Sequence, residues 1–302
     1  MKTANIVRLL LLGAIWGTSF MLMRIAVPEL GPMLTTLLRA ALGAAALYLF
    51  ARSRGIRFAW RANALTYLVI GLFNTAVPFA LFAWSALHIP SAYMATMNSL
   101  APIFTSLFGV LLLAERFTLR RAGACLLGMA GVAVLVGVGP TSVTPLAVLG
   151  VLACICAAVC YGFAATYTRM RAGHLPSLAV ATGSQLMSAL VLLPFGLPAA
   201  PALLSASLAA LCAAAVLGVL CTGLAYALFF HLIASEGASK AITVTFLVPA
   251  TASVWAWLFL AEPVTGGTVA GIAIVLCATA LALGLSFGRL LPWRRETGHP
   301  QP

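Results

Sequence analysis

Apolar residues in this chain come in blocks of about 20, set apart by short stretches holding Gly, Pro or Arg. They do not alternate at the period of a half-buried strand or of an amphipathic surface helix. A helix rising 1.5 Å per residue needs about 20 residues to cross about 30 Å of hydrocarbon. Divided by length and by breakers, the pattern predicts ten spans: Ile6 to Met23, Met33 to Phe50, Leu65 to Leu87, Ala92 to Leu113, Ala122 to Val138, Leu146 to Thr168, Ser177 to Pro194, Leu208 to Ile233, Ala241 to Leu260 and Gly267 to Phe287. Two divisions rest on helix breakers. The 47 uncharged residues from Ala122 to Thr168 are split by Gly137, Gly139, Pro140 and Pro145, and the 61 from Leu175 to Ser235 by Pro194, Gly196, Pro198 and Pro201.

Composition agrees with a bilayer as the main solvent. Of 302 residues 63% are hydrophobic and only 7% charged, none of them Asp, with a mean hydropathy of +1.11. Soluble domains carry about 25% charged residues. A net charge of +12 would suit a polyanion if it formed a basic face on a soluble fold, but the cations sit in gaps between apolar blocks. With the N-terminus in the cytoplasm, fifteen of 17 Lys and Arg fall on the cytoplasmic side, Arg24 on the other, and Arg39 within a span. That is the positive-inside pattern, so no nucleic-acid partner is expected. Lys2 and Arg8 before Leu9 to Ile15 imitate a secretory signal, yet the apolar run continues to Met23 without a small-residue cleavage site, which makes it a retained first helix. The seven Cys all lie in apolar runs, where they act as small hydrophobes. Cys154, Cys156 and Cys160 have no His or carboxylate beside them, and no metal site is expected.

The second half repeats features of the first. At an offset of 147, Ala80-Leu81-Phe82 matches Ala227-Leu228-Phe229, Leu100 and Pro102 match Leu247 and Pro249, and Leu113-Ala114-Glu115 matches Leu260-Ala261-Glu262. At 145, Trp16, Gly17 and Arg24 pair with Tyr161, Gly162 and Arg169. Ala and Leu matches are cheap in this composition, but two of only five acidic residues are not. Five spans per copy is odd, so the second copy enters from the opposite side and the repeats are inverted. Such architecture places a site near the midplane, exposed alternately as the halves rock.

These residues resemble the ten-helix EamA-like transporters of the drug/metabolite transporter superfamily. The resemblance rests on Ala14-Ile15-Trp16-Gly17-Thr18-Ser19-Phe20, on Leu38-Arg39-Ala40, and on Pro102 and Pro249 with Glu115 and Glu262 following. It covers nearly the whole chain. It implies an all-α membrane protein of two five-helix repeats, the first over residues 1–140, the second over 141–288, with a cytoplasmic tail over 289–302. It further implies a bacterial inner-membrane exporter of small metabolites, amino acids prominent among them, and pairs the small-residue helices five and ten, which carry Ala124 with Gly128 and Gly267 with Gly271.

Membrane-buried ionisable groups are costly and often functional. No carboxylate lies at the middle of a span, which points to a neutral or zwitterionic substrate over a cationic drug; proton-coupled multidrug efflux is the alternative. Glu115 and Glu262 read as N-terminal caps of the following helices, with a gate or proton site as the alternative. Arg39 sits about 8 Å below the outer edge, within snorkelling reach; its other reading is capture of a substrate carboxylate. Gln185 takes its place in the second half. Pro102 and Pro249 are expected to kink helices four and nine as hinges. Trp16, Asn74, Asn98, Tyr161, Thr222, Tyr226 and Thr245 complete the candidate cavity between helices one, three and four and helices six, eight and nine. Interhelical hydrogen bonding or core packing is the competing reading for each. An enzyme would need a nucleophile with a base, or a ligand set, at one depth. The four His are scattered and no HExxH occurs, so no catalytic activity and no cofactor are expected. A channel is disfavoured by the repeats, and ten spans suffice for a functional monomer bound to lipid and small-molecule substrate.

Overall fold

The computed structural model describes residues 3–139 and 144–284. Lys2, Pro140, the last residues of the tenth span up to Phe287, and the tail over 289–302 with Arg289, Arg294 and Arg295 lie outside the described residues. Within them the chain is helical and forms no strand. Among the described residues nine helices are long and apolar enough to cross a membrane: α1 (Thr3–Leu30), α2 (Pro32–Ser53), α3 (Trp60–Ser85), α4 (Ser91–Leu113), α5 (Leu119–Val138), α6 (Pro145–Arg171), α7 (Ser177–Leu204), α8 (Leu208–Glu236) and, after the shorter α9 (Val248–Leu260), α10 (Gly266–Leu283). The chain is thus an all-α multi-pass membrane protein, as the apolar blocks predict.

Helix ends depart from the apolar blocks where a polar partner exists. Helix α1 runs on past Met23 through Arg24 and Pro28, because the Arg24 guanidinium meets a carboxylate beyond the block. The α-helical part of α7 ends at Gly196 and continues as 3-10 turns over Leu197–Leu204, where a loop is expected from its prolines. Each of α5, α6, α8 and α10 begins on a hydroxyl cap: Thr118, Thr144, Ser207 and Thr265 accept from the amides of Arg121, Ala147, Ala210 and Thr268, satisfying a donor that a helix start leaves open. Inside the bundle, Thr36, Thr96, Thr105, Thr182 and Ser253 donate to carbonyls four residues back, so their hydroxyls need no water. Outward faces carry exposed Leu10, Leu49, Leu65, Leu126, Leu152 and Phe259, apolar surface suited to lipid.

Packing pairs recur at helices five apart. Helix α1 packs on α9 as α6 packs on α4, and α1 packs on α8 as α6 packs on α3, while α2 lies on α7 and α5 on α10. The closest approaches are built by glycine. A methyl at Gly17 would collide with Thr251 and Ala252 of α9, and one at Gly162 with Phe104 and Thr105 of α4; the two sets of positions correspond at the offsets read from the sequence. In α5 and α10, Gly131 lies against Val275, and Gly271 against Leu135.

Four interruptions position the interior. Helix α4 breaks after Asn98, and Pro102 opens the next segment, Ala101–Leu113. Helix α9 follows a 3-10 turn, Ile242–Phe246, with Pro249 in its first turn. The expected kinks are therefore breaks with each proline at a helix start, where its missing N–H costs nothing. Helices α3 and α8 each contain a π-helical turn, Leu72–Ala76 and Val219–Leu224, at positions 147 apart. Such turns insert a residue into the helix and turn its neighbours to a new direction.

Candidate functional site

The two π-turns deliver the polar groups of the interior. Asn74, in the first, donates from Nδ2 to the Tyr226 hydroxyl at 3.3 Å. Thr222, in the second and fully buried, donates to the Leu217 carbonyl at 3.0 Å and accepts from Arg39 Nε at 3.3 Å. Arg39 is only 8% exposed. Its guanidinium carbon lies 3.7 Å from the centre of the Phe79 ring, a cation–π geometry, and Nη1 reaches Met23 Sδ at 3.8 Å. Tyr161 and Tyr226 stand within electrostatic range of it. The snorkelling expectation is therefore corrected: the side chain turns inward between α1, α3 and α8, because an aromatic face and a π-turn hydroxyl receive it there.

Aromatic rings wall the same region. Trp16 meets Phe229 at 5.2 Å and Tyr226 edge-on at 6.4 Å. Tyr161 lies 6.2 Å from Phe82, and Phe82 meets Phe20 at 5.6 Å. Trp16 with Phe229 and Tyr161 with Phe82 are the same pair at the repeat offsets. Trp16, Arg39, Asn74, Tyr161, Thr222 and Tyr226 thus come together. Thr245 does not join them through its side chain, whose hydroxyl turns back onto Ile242; its carbonyl instead accepts from Ser99 at the α4 break. Asn98 ends the first α4 segment half-buried, and none of the described hydrogen bonds ties its side chain to the cluster. Pro102 and Pro249 are buried at the segment starts.

Each end of this interior is crossed by an ion pair between the halves. On one side Glu262 takes Arg24 Nε at 3.0 Å and the Ser91 amide and hydroxyl at 2.9 and 3.1 Å, while Arg24 also donates to the Ile89 carbonyl at 2.8 Å. On the other, Glu115 binds Arg121 of its own half and Arg169 of α6 at 3.3 Å. The hydrogen bond from Arg121, with that from Arg169, holds the Glu115 carboxyl below its ordinary range against a smaller opposing effect of burial. The expectation that these carboxylates cap the helices after them is corrected: Thr118 and Thr265 hold the caps, and Glu262 sits instead on the start of α4. Of the residues the sequence reading did not assign to the site, Arg24, Arg169, Phe82 and Phe229 lay within its repeat matches, while nothing in the pattern marked Phe79 or the π-turns.

The EamA-like transporter family model matches residues 4–137 and again residues 148–284. Among curated relatives, an uncharacterized transporter, YvbV, of Bacillus subtilis is 24% identical over 281 residues, covering 93% of this chain and 92% of that protein. A probable terminal-alkyne amino-acid exporter of Streptantibioticus cattleyicolor is 25% identical over 303 residues and 99% of each chain. Protein PecM of Dickeya dadantii is 24% identical over 273 residues and 90% of each chain. One crystal structure, 20% identical, superposes with a TM-score of 0.62 over 96% of this chain and 99% of its own, a likeness of fold. With both matches spanning the ten helices and the interior they enclose, this chain belongs to the EamA-like transporter family, and it is a transporter rather than an enzyme.

Proposed function

We propose that the chain is an alternating-access carrier that exports small neutral or zwitterionic metabolites, amino acids first among them, across a bacterial inner membrane. Its halves act as inverted repeats, its termini face the cytoplasm, and the monomer is the working unit. The observation that carries this reading is the pair of cross-half ion pairs, Arg24 with Glu262 and Arg169 with Glu115, at opposite ends of one aromatic and polar interior. A rocking carrier needs a closure at each end made between the moving halves, with a site between them. The packing pairs that recur at helices five apart support the repeat, and the Streptantibioticus relative's name favours an amino-acid substrate. The breaks at Pro102 and Pro249 and the two π-turns are the hinges. Trp16, Tyr161, Asn74 and Tyr226 form the walls the substrate meets, with Asn98 and Thr245 entering when the broken helices move.

The test is flux in proteoliposomes with labelled neutral, aromatic, basic and acidic amino acids, with and without an imposed pH gradient. The expected result is saturable flux of a neutral or aromatic amino acid, accelerated by unlabelled substrate on the far side and indifferent to the gradient. Linear flux would indicate a pore. Gradient-driven movement of a cationic drug would overturn the substrate class and turn attention to proton coupling at the two carboxylates.

A further inference from the structure

Among the described residues the interior holds one fixed charge, Arg39, with no carboxylate paired to it. Arg39 lies within α2 at 8% exposure, where a guanidinium is expensive to keep. Its five N–H donors have one hydroxyl and one thioether within reach, and among the described residues the second terminal nitrogen has no partner. The described carboxylates are engaged elsewhere: Glu29 with Ser207, Glu115 with Arg121 and Arg169, Glu236 with Lys240, and Glu262 with Arg24. The fold does not require a cation at this place in both halves. At the equivalent place in α7 stands Gln185, whose amide nitrogen and oxygen are buried without a hydrogen-bond partner.

The other polar groups that share this interior are the amide of Asn74 and the hydroxyls of Thr222, Tyr161 and Tyr226. These are neutral acceptors and donors. The site therefore offers a counter-charge to an anion and no carboxylate to an ammonium. A planar carboxylate matches the free edge of a guanidinium held flat by an aromatic face. Resting on the carrier reading of this interior, we propose that Arg39 is the anchor for the carboxylate of an organic monocarboxylate, and that the substrate's amino group is not needed for recognition. A 2-hydroxy acid then binds as well as the amino acid of the same skeleton, and the amide or the decarboxylated amine does not. This keeps the zwitterionic amino acids, drops neutral compounds without a carboxylate and adds the anions of hydroxy acids.

Binding to the purified full chain, read as ligand-induced thermal stabilisation in detergent, tests this without transport. The probes are two matched sets: leucine, 2-hydroxyisocaproate, leucinamide and isoamylamine; phenylalanine, phenyllactate, phenylalaninamide and phenethylamine. The expected result is stabilisation by both acids of a set at concentrations within about threefold of each other, with the amide and amine at least about 30-fold weaker. Arg39→Gln removes the acid preference. Arg39→Lys, which keeps the charge but loses the fork, retains part of it, and Thr222→Val weakens acid binding about tenfold. Should Arg39→Gln not fold, these last two carry the test. The assignment is overturned if amide or amine stabilises like the acid, if amino acid outperforms hydroxy acid by more than tenfold, if acid preference survives in the Arg39 and Thr222 variants, or if no member stabilises the wild type at millimolar concentration. Acid binding without flux in proteoliposomes keeps the Arg39 assignment and overturns the carrier; flux of a compound lacking a carboxylate keeps the carrier and overturns Arg39.

Discussion

Glu115 and Glu262 stand on the same backbone frame and live in different surroundings. Each follows an alanine in the left-handed region, φ 52° at Ala114 and 51° at Ala261. Each amide reaches back at 3.2 Å to the carbonyl six positions earlier, Gly109 or Ala256. Three residues on, Thr118 or Thr265 caps the next helix. Beyond the frame the likeness ends. Glu262 is 11% exposed, opposite an Arg24 that is 33% exposed, and it holds the first amide of α4 as well. Glu115 is 31% exposed and its cross-half partner Arg169 is 60% exposed. Equal geometry thus gives unequal closures, because water screens one pair and the bundle shields the other. In this structure the end at Glu262 is the tighter seal.

The strongest way to break that comparison is Glu262→Gln. The substitution keeps the shape but leaves Arg24 without its counter-charge and Ser91 with a weaker acceptor. A loss of about 2 kcal/mol in unfolding free energy is expected, with faster labelling by an impermeant maleimide of a cysteine placed at Ser253, which lines the same small pocket as Glu262. Arg24→Gln should give a similar loss and the double variant little more, as a coupled pair does. Additive losses would mean that each residue acts alone and that the seal is not this pair. A sharper control lies in the caps. Thr118→Ala and Thr265→Ala should each cost up to about 1 kcal/mol, similar in the two halves, because the frame is shared. A large inequality there would place the difference between the ends in the backbone instead of the carboxylate's partners.

Which parts of this were legible in the sequence follows from what each part depends on. The spans were, because hydrocarbon thickness imposes a length that composition alone reveals. The doubled Pro and Glu were, because acidic residues are so rare here that two at one offset cannot hide. Arg39 was visible as an oddity but its direction was not: depth along a helix says how far an arginine must reach, and the Phe79 ring 3.7 Å away decides that it turns inward. The roles of Glu115 and Glu262 were misread for a related reason. Proximity in sequence suggested the next helix, while the partners, Arg169 and Arg24, come from helices distant in the chain. The π-turns leave no mark in hydropathy, since a five-residue step shifts directions without changing composition.

The smallest expected effect belongs to Glu115→Gln, and its size is itself the test. The cross-half pair with Arg169, 60% exposed, is worth about 0.5 kcal/mol or less, and about 0.5 M salt should erase that part of the loss in a thermal unfolding measurement, leaving only the local contact with Arg121, 15% exposed, while the shielded pair at Glu262 keeps most of its contribution. Its pH dependence has a definite sign. The hydrogen bonds from Arg121 and Arg169 lower the proton affinity of Glu115 in the folded chain, so its contribution is present above the ordinary carboxylate value of about 4.5. The contribution is lost as pH falls through the lower folded value. Between pH 7 and 5 the wild type and Glu115→Gln should therefore keep a constant gap in melting temperature, which closes only in stronger acid. A gap that changed near neutrality would mean that Glu115 takes up a proton in the working range. The weaker closure would then be a proton-sensing gate, and the two ends would differ in chemistry as well as in strength.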